Sequence, residues 1–142
     1  MLLGLAVLAA GGAVADESSL DPRVPIHVMV VHTTNERGEI DPRARALDAD
    51  LKKQLRYRSI RVIREERVTL HVDQVGTIPL PDGREVWVRP MVKGKRGVLL
   101  AVDVEGAVKL DVRARNHHRV VIGAGPFENG NLAISLEPDF EE

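Results

Sequence analysis

The chain has no cysteine. That excludes disulfides, thiolate metal sites, a cysteine nucleophile and an acylated lipoprotein cysteine together. Aromatics are almost as scarce, with one Trp, one Tyr and two Phe in 142 residues. Binding of single-stranded nucleic acid needs several aromatic rings interleaved with charge, and that material is missing. Excess charge of either sign is absent too, because 20 Lys and Arg face 21 Asp and Glu. No global field therefore marks nucleic acid or another polyanion as a partner. Nothing repeats at a period of 20–50 residues, which excludes solenoids and propellers. What is present suits one domain: a length too short for two ordinary ones, and 29% charged residues balanced by enough apolar material for one core.

The longest uncharged run stands at the very start. MLLGLAVLAAGGAVA, residues 1–15, is followed at once by Asp16-Glu17. The apolar stretch and the closing Ala13-Val14-Ala15 have the layout of a secretory signal peptide with an A-x-A cleavage site. Fifteen residues fall short of the about 20 that a membrane span needs. No Lys or Arg precedes the run, so the signal is atypical or starts further upstream. A buried hydrophobic segment and an uncleaved anchor are the alternatives. Export to the periplasm or the exterior is the expectation, with no transmembrane span in the mature chain.

Residues 16–23 (DESSLDPR) are polar and read as a flexible leader. Val24 to Thr34, VPIHVMVVHTT, is β-branched and nearly all apolar, which predicts a central strand covered on both faces. One helix follows, with Asp41 as N-cap, Pro42 at the first helical position and Leu47, Leu51 and Leu55 on one stripe, ending near Arg56. From Ser59 the period becomes two: Ile60 and Val62, then Val68, Leu70 and Val72, alternate with polar residues. Pro81-Asp82-Gly83 and Glu105-Gly106 read as hairpin turns. The fold class expected is α+β over residues 24–138: one N-terminal helix packed on a mainly antiparallel meander sheet of about six or seven strands. Residues 139–142 read as an acidic tail.

Near the C-terminus, RVVIGAGPFENGNLAISL holds Gly123-Ala124-Gly125 after a strand, which raises the question of a phosphate-binding loop. A dinucleotide fingerprint needs a third glycine at 128, where Glu128 stands, and a following helix, whereas Leu132 to Leu136 alternates like a strand. No Gly-Lys-Ser/Thr is present either. The stretch reads as a turn, with Asn129-Gly130 as the hairpin dipeptide.

The densest charge feature is the run Lys52, Lys53, Arg56, Arg58, Arg61, Arg64 and Arg67, with Tyr57 inside it. A solvated strand face has this appearance; a patch for an anionic surface or another envelope protein is the functional alternative. Trp87 is out of phase with Val86 and Val88. Either the sheet is covered on both sides, the reading we favour, or Trp87 is an exposed binding anchor. The possible partner patch is therefore Arg56, Tyr57, Arg58, Arg61, Arg64 and Trp87. His27 and His32 should face opposite sides of a strand, and the adjacent pair His117 and His118 splits likewise. No H-E-x-x-H and no G-x-S-x-G occurs, so no catalytic residue, metal ligand or cofactor is expected.

The segments VPIHVMVVHTT, DPRARALDADLKKQL, RYRSIRVI, LPDGREVWV and RVVIGAGPFENGNLAISL together resemble a set of small exported bacterial proteins that have no assigned activity. The last segment is also similar to glycine-containing barrel strands of outer-membrane secretins, over fewer than twenty residues and without the flanking domains. The first resemblance implies a non-enzymatic binding or assembly module in the cell envelope. A small periplasmic metal-binding protein or enzyme using convergent histidines is the rival expectation.

Overall fold

The computed structural model describes residues 21–141, so the signal peptide expected over residues 1–15 lies outside the described residues. Eight strands run β1 (Arg23–Thr34), β2 (Ser59–His71), β3 (Gly76–Pro79), β4 (Glu85–Lys93), β5 (Gly97–Val104), β6 (Val108–Arg115), β7 (Val120–Phe127) and β8 (Gly130–Pro138). They form two four-stranded antiparallel sheets. Sheet A has the order β2-β1-β8-β7 and sheet B the order β3-β4-β5-β6. The expected α+β class is thus overturned: the protein is a two-sheet β structure of eight strands, and its one short helix is an appendage on the outer face of sheet A. Neighbours follow chain order around the whole body, and β8 returns to pair with β1. The hairpin succession was legible; its folding over into two facing layers was not, because local alternation does not tell one curved sheet from two.

The core lies between the sheets. Val24, Ile26, Val28 and Val30 of β1 meet Val86 and Val88 of β4 and the Val98, Leu100, Val102, Val104 row of β5. Each such aliphatic side chain contributes roughly 1.5–3 kcal/mol on burial, before entropy is charged. β1 is inner in its sheet and buried on both faces over most of its length, as its continuous apolar run predicts. Its second face, Met29 and Val31, packs with Ala133, Ile60 and Val62 under a short helix.

That helix is a 3-10 turn, Pro42–Ala44, leading into α1 (Arg45–Leu51). Its start is as expected: the Asp41 side chain accepts from the Arg43 N–H at 3.0 Å, and Pro42 occupies the first turn. It stops one turn early. Tyr57 reaches back to α1, its hydroxyl donating to the Asp48 carbonyl at 3.0 Å and to the Asp48 carboxylate. Past Leu51 the backbone continues in turns, with the Leu55 N–H still donating to Leu51 O at 2.8 Å, and Leu55 packs against the same small cluster. No described helix is long and apolar enough to cross a membrane.

Two bulges in sheet A set which side chains face where, and a third lies in β4 of sheet B between Pro90 and Val92. In β2, Val30 pairs with Arg64 but Val31 with Val62, so Ile63 is an inserted residue. Ile60 and Val62 consequently face α1, whereas Val68 and Leu70, of the same parity, face the sandwich. In β7 the shift falls between Gly123 and Gly125, with Gly125 at φ 93°. The glycines of the apparent phosphate loop therefore shape a bulge. The Ala124 carbonyl exposed there accepts from the Arg84 guanidinium at 2.6 Å. The same guanidinium donates to Glu105 O at 2.8 Å and to the Asp82 carboxylate at 2.7 Å. Arg84 thus ties two turns of sheet B to the edge of sheet A. At the C-terminus Phe140 is buried, held by Asn116 through Nδ2 to its carbonyl (2.6 Å) and its N–H to Oδ1 (3.0 Å). The ordered body extends past residue 138 to include it.

Two expectations follow from this packing. A Cβ at Gly130 would fall inside the van der Waals envelope of the Thr33 carbonyl of β1, whereas one at Gly123 meets nothing within 4 Å among the described residues. Gly130→Ala should cost at least ~2 kcal/mol in urea unfolding and Gly123→Ala no more than ~0.5 kcal/mol. Hydrogen bonds from the Arg43 side chain and backbone lower Asp41 from 3.8 to about 2. A depressed carboxylate stabilises the fold above its unfolded pKa, and that contribution disappears as pH falls through the folded value. In thermal melts the gap between wild type and Asp41→Asn should be full above about pH 4 and close toward pH 2.

Candidate functional site: two surface grooves and a dispersed arginine run

The arginines expected to form one patch are spread over several surroundings. Arg56 and Arg58 are exposed where the turn after α1 enters β2. Tyr57 between them is turned inward; its burial and the Asp48 carboxylate raise its hydroxyl well above the ordinary phenol range. Arg61 is exposed on β2 opposite His32. Arg64 lies beyond the bulge, half-buried, with its Nε enclosed, without a hydrogen-bond partner among the described residues and 3.7 Å from Glu66. The inserted Ile63 brings Arg61 and Arg64 to the same side of β2, which an unbulged strand would separate. Trp87 belongs to the other sheet and shares no surface with them.

Arg61 contributes to the first groove, about 330 Å³, with His32, Thr34, Glu36, Ser59, Glu128 and Asn129. His32 is 5% exposed; its Nε2 lies 2.9 Å from Phe127 O and 3.0 Å from Glu128 O. Carbonyls only accept, so Nε2 carries a proton and donates to them. The ring also meets Phe127 edge-on at 5.1 Å. His32 thereby pins the β7–β8 turn, whose central residues are Glu128 (φ 32°) and Asn129 (φ 57°). The turn sits one residue earlier than the Asn129-Gly130 dipeptide suggested, because Gly130 is needed where β8 passes Thr33. Thr34 Oγ1 and Ser59 Oγ are 2.6 Å apart at the groove wall. Charges of both signs line this space, with Arg61 set against Glu36 and Glu128.

The second groove, about 260 Å³, lies on the outer face of sheet B. On β4 and β5 every second residue is buried and the intervening set is half-exposed, so this face is open to solvent among the described residues. Trp87 stands in that half-exposed set, opposite Thr77 on β3 and Asp103 on β5. The favoured reading of a doubly covered sheet is therefore corrected: a Trp on an open face has one flank wet. Val75, 54% exposed, extends the apolar floor. Arg89, Asp103, Lys109 and Asp111 ring it, with Lys109 3.9 Å from Asp103 and Arg89 3.3 Å from Asp73. An aromatic floor with a mixed-charge rim suits recognition of a surface that carries an apolar side chain between polar ones.

The histidines take separate places. His27 Nε2 is 2.8 Å from Glu65 on the outer face of sheet A, His117 Nδ1 is 2.9 Å from Asp139, and His118 Nδ1 is 3.0 Å from Asn116 O. Among the described residues no group of three or more His, Asp or Glu is placed to hold a metal ion.

Because Trp87 is the one tryptophan, intrinsic fluorescence reports this groove alone. Native emission should be readily quenched by acrylamide. Trp87→Ala should cost less than ~1.5 kcal/mol, against ~2–5 kcal/mol for Leu100→Ala in the core, measured by denaturant unfolding. In comparisons with known proteins, no family model, no curated protein and no solved structure matches the chain.

Proposed function

We propose that this is an exported protein of the cell envelope that works as a binding and assembly module and performs no covalent chemistry of its own. The uncharged residues 1–15 with their A-x-A ending support export. The space between the sheets is filled by aliphatic side chains, which favours action through the outside of the molecule. The observation that carries the reading is Trp87, the chain's single tryptophan, held on the open face of sheet B inside a mixed-charge rim. Tryptophan is the residue most concentrated at the energetic centres of protein interfaces, where polar neighbours exclude water around it. The occupant that fits is another envelope protein offering an apolar side chain flanked by charges of both signs. Arg56, Arg58 and Arg61 are separate from that groove and stand as the surface for an anionic partner.

The discriminating experiment is capture from the native envelope by the mature protein, by Trp87→Ala and by Arg56→Ala/Arg58→Ala. A partner bound by wild type and the arginine variant but lost with Trp87→Ala is the expected result. Equal capture by all three overturns the groove, and loss with the arginine variant alone moves the contact to the helix–β2 junction. Protein recovered from the envelope should begin near Asp16; recovery from the cytosol with Met1 attached overturns export.

A further inference from the structure

A sheet edge is a row of unpaired N–H and C=O groups, and proteins that stay single guard theirs with bulges, prolines, short strands, covering segments or edge charges, the last of which repel a partner unless its own charges are complementary. The four edges here are β2 and β7 of sheet A and β3 and β6 of sheet B. Three are guarded. β2 carries the Ile63 bulge, and residues 39–41 cover its start: the Ile60 N–H donates to Glu39 O and the Asp41 N–H to Ile60 O at 2.9 Å. β7 has its own bulge followed by Pro126. β3 is four residues long and ends in Pro79. β6 differs from all of them. It runs eight residues without proline, glycine or bulge, in unbroken register with β5.

The phase of β6 follows from its end. The Asn116 N–H donates to Arg96 O at 2.7 Å, so alternate residues 114, 112, 110 and 108 turn their backbone groups toward β5. Those of Lys109, Asp111 and Arg113 point outward, and among the described residues no hydrogen bond takes them. On the sandwich side Leu110 and Val112 are only partly buried, and Val108 is 38% exposed. The edge therefore combines free backbone groups, an unfinished apolar row and, on the open face, charges in the order Lys109, Asp111, Arg113.

We infer that β6 pairs antiparallel with β6 of a second copy, Leu110 facing Leu110 across the two-fold axis. In that register Lys109 of each copy lies opposite Asp111 of the other, twice over, and Val108 lies opposite Val112, twice over. Sliding the partner so that Asp111 faces Asp111 sets like charges together and puts Lys109 against Arg113. Sliding it further, so that Val112 faces Val112, gains Asp111 against Arg113 twice but sets Lys109 against Arg115 twice, which cancels the gain. Opposite charges directly across a strand pair stabilise it and like charges oppose it, so the first register is selected. The same pairing joins the two open faces of sheet B into one eight-stranded surface. One strand pair buries less than the about 1,200 Å² of a standard interface, so the association is weak and concentration-dependent. It does not rest on what occupies the Trp87 groove.

The absence of cysteine makes the register directly readable. Leu110→Cys, Asp111→Cys and Val112→Cys each introduce a single thiol, and two thiols bridge only when the facing Cβ atoms lie close. With mild oxidant, Leu110→Cys should form the disulfide-linked dimer at least about tenfold faster than the other two or a Thr77→Cys control on the far edge. Preferential linkage through residue 111 or 112, or linkage no faster than the control, overturns the inference. Sedimentation of proteins without the new thiols supplies the second measurement, at exposed positions that leave the core intact. Lys109→Glu and Asp111→Lys alone should each weaken dimerisation at least about tenfold, and the double swap should restore it to within about threefold. A wild type that stays monomeric to about 1 mM, or a double swap that fails to recover, overturns it as well.

Discussion

β1 is hydrogen-bonded along both edges to partners far away in sequence, β2 on one side and β8 on the other. Its two faces are also both buried, one in the space between the sheets and one under α1. A strand so placed must be apolar at successive positions, and Val28 through Val31 meets that demand. Its pairing with β8 closes the chain-ordered ring, so the first and last strands hold each other. That is why the close approach of Gly130 to the Thr33 backbone matters: any side chain there pushes the closing strand away. The latch of Asn116 on Phe140 serves the same closure from the other end of β8.

The interior is filled mainly by aliphatic side chains, with Phe140 buried among them, and the ring of eight strands is flattened into two facing layers. The flattening happens where β2 meets β3 and where β6 meets β7, which do not pair. Arg84 spans the second gap. Its guanidinium satisfies carbonyls from the β5–β6 turn and the β7 bulge while Asp82 holds it in place. Hydrogen bonds to a charged donor of this kind are worth about 1.5–3 kcal/mol each, and the fixed fork of arginine suits three separate acceptors better than a lysine would. Splitting one ring into two sheets also creates the four edges, three of them guarded.

The functional reading rests on what is left outside after this packing. Sheet A has its outer face occupied by α1 and by ion pairs such as His27–Glu65 and Arg119–Glu137. Among the described residues nothing packs on the outer face of sheet B, which carries Trp87 and has β6 along its side. The surfaces free for contact thus collect on one sheet, which suits a module that assembles with others. The charge run of β2, conspicuous in the sequence, is largely absorbed: Arg67 binds Asp139, Glu65 binds His27 and Arg43, and Arg64 lies beside Glu66.

Local chemistry alone determined a good deal. The doubly buried first strand, the Asp41–Pro42 helix start, the period-two alternation and the strand–turn–strand character of the glycine-containing segment were all legible, because each depends on neighbours a few residues apart. The distribution of strands between two sheets, the shortened helix and the open face around Trp87 were decided only by tertiary contacts. Ile60, Val62, Val68 and Leu70 show the reason most plainly. Their shared parity promises one common face, yet a single inserted residue, Ile63, sends the first pair to α1 and the second to the sandwich. Alternation records that a strand has two faces; which of them is buried, and against what, is settled by the partner strand that a bulge allows it to meet.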